Sequence, residues 1–359
     1  MSRRILFAIH DWGLGHASRS LLLIRALLDR GDNVIIVTAP GGGWQLLQSE
    51  LGGACRFIDF KDIPKPFSRW PALFYLRMSL DTPLILARFM QEHRFVEKLA
   101  ARERIDCIIS DSRFGMWSHE VPSYCILHSL RQIIPGRPRR LEQFVEYSQR
   151  RLTRHFRRIL IPDIEAHGGL SGDLGHDPAL DWGTDRLRYI GPLSGIQRME
   201  GEPDIDCFFS ISGIEPQLSM MAEKVLDALP HLGGNIVVTL GRPEQAGSCR
   251  QVGRATVYGY LDRRAQGEML NRARLVMTRS GYTTLMELAE LGKRALFVPT
   301  PGQSEQEYLA RFHHDKGRVY STTQSQLDLV RDIPRAMDRS GLPRISSAES
   351  VARFLAAID

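Results

Sequence analysis

The feature that most constrains this chain is a pattern that fills its first half and then starts again. RILFAI at residues 4–9 is a short apolar run, DWGLGHAS reads as a glycine-rich turn, RSLLLIRALLDRG carries leucines at helical spacing, and NVIIVTA is the next apolar run. Apolar runs of this length alternating with amphipathic helices are the signature of parallel βαβ units covered on both faces. CRFIDF, DCIISD, PSYCILH, RILIP and RLRYIGPLSG continue the strands to Gly191-Pro192, and residues 64–99 read as helical and rich in aromatic and apolar side chains. After Gly201, DCFFSIS, GIEPQ and LSMMAEKVLDAL repeat strand, turn and helix, and NIVVTLG, ATVYGYL, RLVMTRS and RALFVPT supply further strands. The expectation is an α/β chain of two Rossmann-like domains facing each other across a cleft. Residues 1–195 form the first. Residues 196–345 form the second, and 346–359 a helix packing back on the first.

A length of 359 residues suits two domains, and 43% hydrophobic with 25% charged residues suits a packed globular protein. No apolar run approaches the ~20 residues of a membrane span. The start, MSRRILFAIHDWG, lacks the apolar core and cleavage site of a secretory signal, so a cytoplasmic protein is expected. Cys55, Cys107, Cys125, Cys207 and Cys249 include no CxxC pair and read as reduced, buried small hydrophobes.

Two turns carry chemistry. Gly13, Gly15 and His16 stand where a strand meets a helix, a place where backbone N–H groups favour an anion or a reacting hydroxyl; the alternative is a tight turn with His16 capping the helix. The spacing lacks the third glycine of the dinucleotide fingerprint, and the second strand ends without an acidic residue, which disfavours dinucleotide binding. Downstream, Ser280, Gly281, Thr283 and Thr284 follow a strand and open a helix, a geometry suited to wrapping a diphosphate. Glu287 on the same helix is placed either to accept the hydroxyls of a ribose or to cap the helix in a TxxE pattern. Asp11, Asp111, Arg113 and His128 follow or end strands of the first half and are candidates to face a ligand there, on what a transferase would use as its acceptor side, or capping residues. DID at 204–206 reads as a solvated strand start rather than a metal-binding DxD.

RSGYTTLMELAELGKRALFVP resembles the nucleotide-sugar-binding stretch of the MurG family, UDP-N-acetylglucosamine transferases of cell-wall synthesis, and of related GT-B glycosyltransferases. GLGHASR is similar to that family's GxGHxxR loop. The resemblance implies a GT-B fold, an inverting mechanism, a UDP-sugar donor held mainly by the C-terminal domain, and no cofactor or essential active-site metal. It implies that residues 279–287 bind the donor and that Gln306 matches the first of two glutamines on the sugar, with Glu307 replacing the second. Ser212 and Gly213 stand where the family has a longer glycine-rich phosphate loop, and Tyr260 and Leu261 where backbone groups recognise uracil. His16 would then be the general base, with a near-neutral pKa. The rival readings are a MurG-like UDP-sugar hydrolase and a non-catalytic or epimerising nucleotide-sugar binder.

The net charge is +6, and residues 137–158 hold eight arginines against two glutamates, an excess equal to that of the whole chain. Leu141, Phe144, Val145, Ser148, Leu152, Phe156 and Ile159 recur at helical spacing, giving an amphipathic helix with a solvated arginine face. With the aromatics Phe67, Trp70 and Phe74, the sharper reading is attraction to an anionic membrane surface and a lipid-linked acceptor. The segment lacks the interleaved aromatics and motifs of nucleic-acid readers, and no nucleic-acid partner is expected.

Overall fold

The computed structural model describes residues 2–11, 13–63, 71–183 and 185–359, residues 71–79 and 167 by backbone alone. The chain divides into two compact units, residues 1–195 with 347–359, and residues 196–346. The first unit runs β1 (Arg4–Ile9), α1 (Leu14–Asp29), β2 (Asn33–Thr38), α2 (Gly42–Leu51), β3 (Arg56–Asp59), α3 (Pro71–Glu103), β4 (Cys107–Asp111), β5 (Ser123–Ile126), α4 (Arg139–Leu152), β6 (Arg158–Ile161) and β7 (Leu187–Tyr189). The strands pair in the order β3-β2-β1-β4-β5-β6-β7, all parallel. Leu6, Phe7, Ala8, Ile36, Val37, Ile108 and Ile109 are fully buried, the expected result when helices cover both faces of a parallel sheet.

The second unit runs β8 (Ile205–Ser210), α5 (Gln217–Ala228), β9 (Ile236–Thr239), β10 (Cys249–Val252), β11 (Ala255–Tyr258), α6 (Arg263–Arg272), β12 (Ala273–Thr278), α7 (Tyr282–Leu291), β13 (Arg294–Phe297), α8 (Ser304–Asp315), β14 (Tyr320–Ser321) and α9 (Leu329–Met337). Its sheet has the order β10-β11-β9-β8-β12-β13-β14, with only the β10–β11 hairpin antiparallel. The last helix, α10 (Ser347–Ile358), belongs to the first unit. There the Tyr124 hydroxyl and the Arg158 guanidinium donate to its terminal carbonyls, and its Ser347 hydroxyl accepts from the Ser194 backbone.

Three expectations are corrected. Residues 137–158 are not one helix: α4 ends at Leu152, Phe156 lies in the following turn and Ile159 in β6. The face α4 buries is its polar one, with Glu142, Glu146 and Gln149 inside and Leu141, Phe144 and Tyr147 47%, 65% and 52% exposed. The cause is backbone hydrogen bonding. Glu146 accepts from Ala179 N, Leu180 N and Trp182 Nε1, Glu142 from Ile134 N, and Gln149 donates to Ser129 O. Loop donors that would otherwise be orphaned turn this helix around. Finally, Cys249 is exposed on the edge strand β10, while the other four cysteines are buried. Of the aromatics named with the basic segment, Phe67 and Trp70 lie outside the described residues, as does the side chain of Phe74 in the first turn of α3.

Candidate active site

In each sheet the strand order reverses at one point, between β1 and β4 in the first unit and between β8 and β12 in the second. Loops leaving the carboxyl ends of strands on either side of such a reversal diverge and open a ligand crevice. His16 and Asp111 flank the first of these points. Ser212, Gly213 and residues 279–284 flank the second.

α1 starts at Leu14, earlier than the sequence suggests, so Gly15 and His16 lie in its first turn. Gly13 caps it with φ 100° and ψ 172°, a conformation open only to glycine, and no side chain caps the exposed helix end. His16 Nδ1 lies 3.0 Å from Asp111 Oδ1 at the end of β4. Arg19 Nη2 lies at the same 3.0 Å from Nδ1 and can only donate, while a carboxylate only accepts; in the tautomer that donates to Asp111, Nδ1 carries the hydrogen and Nε2 keeps its lone pair. Asp111 is fully buried and held by Arg19, whose Nε donates to Oδ2 at 2.8 Å and whose Nη2 reaches Oδ1, and by the Ser20 hydroxyl at 3.0 Å. Arg19 Nη1 also lies 3.3 Å from His128 Nδ1 at the end of β5, which brings His16, Asp111 and His128 together around one guanidinium. The near-neutral pKa expected of His16 is not found. Burial lowers it to about 4, Asp111 working against the shift and the Arg19 charge with it.

Asp11 is buried beside Gly41, where any Cβ would lie 2.7 Å from Asp11 Oδ2, and its backbone N–H donates to Asp62. Asp62 also pairs with His10 at 2.8 Å; burial would raise its pKa, but His10 and the nearby Arg113 lower it to about 2. His10 meets the His16 ring edge-on at 5.2 Å between centroids. The sequence offered no motif for Asp62, which sits in a loop of unpatterned composition. Arg113 is removed from the acceptor-side group: it is 1% exposed, pairs with Glu92 at 2.8 Å, and donates to the carbonyls of Phe60 and Lys61. Each nitrogen of its guanidinium is engaged in bracing α3 and the β3 end.

In the second unit α7 is capped by Gly281 without any side-chain cap bond, which removes the capping reading of Thr284 and Glu287. The first N–H groups of α7 have no partner inside the helix, and the hydroxyls of Thr283 and Thr284 bond no protein group among the described residues. Ser280 is different. It is fully buried and its hydroxyl donates to Gln306 O at 2.7 Å, so it ties α8 to the β12 end instead of offering itself to a ligand. Glu287 is half-buried, and the protein packed around it raises its pKa to about 7 despite Arg263.

Arg279, unremarked as an individual residue at the sequence level, organises this end of the sheet. Its guanidinium donates to the carbonyls of Ser212, Val298, Pro299 and Gln217 and to Gln324 Oε1, and burial lowers its pKa to about 10. It therefore pins together the loops after β8 and β13. Gln306 Oε1 accepts from Thr300 N, and Glu307 Oε1 from Gly302 N, so both brace the loop that precedes α8. Tyr260 bridges Ala246, Leu261 is buried, and Asp262 caps α6 through Ala265 N. Ser212 and Gly213 (φ 128°) are exposed at the β8 end. Asp204 and Asp206 pair with Arg272 and Arg274, as a solvated strand start does.

Two Rossmann-like units of this connectivity have the GT-B fold. Residues 220–351 match the glycosyltransferase family 28 C-terminal domain. Among solved structures, the chain is similar to the glycotransferase of kitacinnamycin (TM-score 0.65, 16% identity, 99% of this chain and 94% of that one). It is similar as well to MurG of Acinetobacter baumannii (0.57, 14%, 99% and 99%) and to the glycosyltransferase SnogD from Streptomyces nogalater (0.60, 14%, 99% and 100%). No curated protein sequence matches the chain.

Proposed function

We propose that the protein is a glycosyltransferase that moves a sugar, N-acetylglucosamine being the first candidate, from a UDP-sugar to an acceptor hydroxyl with inversion at the anomeric carbon. The observation that carries the reading is the His16–Asp111 pair at the reversal point of the first sheet. Nε2 of His16 takes the acceptor's proton as the acceptor oxygen bonds to the anomeric carbon; the bond from that carbon to the diphosphate oxygen breaks, and UDP leaves with the electron pair. Asp111 holds the ring in this tautomer and stabilises the imidazolium as it forms. The charge gathering on UDP is met by the N-terminus of α7 and by Thr283 and Thr284, without a metal or other cofactor. Glu287 accepts the ribose hydroxyls, and backbone groups at Tyr260 and Leu261 meet uracil.

The experiment is incubation of purified protein with UDP-sugars, with and without candidate acceptors, following UDP release. Release only with acceptor supports transfer. Release without acceptor moves the assignment to a hydrolase, and tight binding with no release to a nucleotide-sugar binder. Calorimetry with UDP adds a test of the donor side: Glu287→Ala weakens binding by about 1–3 kcal/mol, the scale of hydrogen bonds to a charged group.

The acceptor side of this reading is a membrane surface. No helix among the described residues is long and apolar enough to cross a membrane. What supports peripheral attachment at the cytoplasmic face is α4, whose exposed Leu141, Phe144 and Tyr147 adjoin a 260 Å³ pocket lined by Tyr147, Arg150, Arg151, Arg154 and Arg186.

A further inference from the structure

One cluster of metal-ligating side chains lies outside every group assigned above. His93 and Glu97 stand one turn apart on α3, and His119 comes from the connection between β4 and β5. Each offers one ligand atom, and these atoms lie within 4.8 Å of one another. Two ligands on a tetrahedral zinc ion with bonds near 2.05 Å are about 3.3 Å apart, so small rotations of side chains, chiefly the exposed His119, close the sphere.

The supporting bonds decide against simple packing. His93 Nδ1 lies 3.0 Å from the Trp117 carbonyl and donates to it, which fixes the hydrogen on Nδ1 and leaves the Nε2 lone pair facing Glu97. Nε2 and Glu97 Oε1 are 3.9 Å apart, too far for a hydrogen bond between them and suited to two donors around one ion. Glu97 is itself oriented, accepting from His119 N at 2.8 Å and from the Ser118 hydroxyl at 3.1 Å, with lone pairs to spare. A histidine that gives its second N–H to a carbonyl and a carboxylate held by neighbouring donors are the outer-shell bonds that metal ligands require. His155 is not part of the set, because its Nε2 accepts from Arg154. Trp117 stacks on His93 with ring centroids 3.9 Å apart.

We propose that His93, Glu97 and His119 bind a transition-metal dication, zinc first, which clips α3 to the β4–β5 connection. Two imidazoles and one carboxylate select zinc, nickel or cobalt over magnesium and calcium, and the fourth position is left to water. The site uses none of the residues assigned to sugar transfer. It steadies the connection that leaves β4 directly after Asp111.

The test is titration of the full chain, stripped with chelator, with Zn²⁺ by calorimetry, and with Ni²⁺ while following tryptophan fluorescence. The expected result is one zinc per chain, bound at least about 100-fold more weakly by His119→Gln and by Glu97→Gln, with unchanged circular dichroism. Ni²⁺ quenches part of the fluorescence, and Trp117→Phe removes that part while leaving zinc affinity intact. His119 is exposed and meets the rings of His93, Trp117 and His155 only edge-on, so its replacement leaves the buried core in place, which the circular dichroism checks. Absence of zinc binding, or equal affinity in the native chain and both variants, overturns the proposal.

Discussion

His16 shows how a buried base can be tuned against its free-solution value. The unfolded chain protonates this histidine near pH 6.5 and the folded chain only near pH 4, so the folded ring stays neutral, and able to accept a proton, down to about pH 5. Between those values the unfolded state binds the extra proton, and the contribution of His16 to stability is lost as pH falls from about 6.5 to 4. His16→Ala should lower turnover roughly 10²- to 10⁴-fold while leaving UDP affinity nearly unchanged, and retention of most activity would pass the base's role to Asp11 or Asp111. Glu287 runs the other way. Its folded pKa of about 7 lies above the ordinary carboxylate value, so the folded state binds the extra proton and this group costs stability as pH rises from about 4.5 to 7. Glu287→Gln should therefore raise the melting temperature at pH 8 and abolish a fall in donor affinity as pH drops below about 7. A lower melting temperature at pH 8 would mark the glutamate as structural.

Among the elements, α4 separates what a sequence pattern can specify from what it cannot. Period 3.6 places Leu141, Phe144, Val145, Ser148 and Leu152 on one face, and hydrophobicity alone would bury it. The structure buries Glu142, Glu146 and Gln149 instead. Glu146→Leu improves the apparent apolar pattern but strands the N–H groups of Ala179, Leu180 and Trp182; it should destabilise the protein by about 3 kcal/mol or more in urea unfolding, against about 0.5 kcal/mol for Phe144→Ser. Equal losses would mean that the helix docks through its apolar side. The central parallel strands, by contrast, were legible because both of their faces are covered and their near-continuous apolar composition reports that. β10 and β14 were not, since CRQV is an exposed polar edge and β14 spans two residues. At the candidate site, His16, Asp111 and Glu287 were legible from their places at strand ends and helix starts. The single buried hydroxyl bond of Ser280, the bracing role of Arg113, and the multiple carbonyls on Arg279 depend on contacts between residues far apart in sequence, which no local pattern encodes.

On the scale of the whole molecule, the +6 charge matters through where its neutralising partners sit. Arg137 is spent on Glu142 and Asp173, and Glu142 and Glu146, the two acids of the basic segment, are buried. Arg150, Arg151, Arg154 and Arg186 consequently converge on one pocket with no carboxylate in its lining, and burial together with Arg150 lowers the pKa of Arg186. Beside them the exposed Leu141, Phe144 and Tyr147 can enter the headgroup boundary of a bilayer. Each cation near an anionic surface contributes about 1 kcal/mol, enough for reversible attachment by a few of them together. Sedimentation with anionic vesicles should thus be strong at 0.1 M salt and vanish toward 1 M, as the Debye length falls from about 10 to 3 Å, and neutral vesicles should bind little at either. Replacing Arg150, Arg151 and Arg154 by glutamine should abolish the salt-sensitive part. Leu141→Ser with Phe144→Ser should weaken binding while preserving its salt dependence, because the two substitutions remove apolar area and leave the charges in place. If the native chain and the glutamine variant sediment alike, or neither does, this surface is a solvated helix face and the acceptor is a soluble molecule.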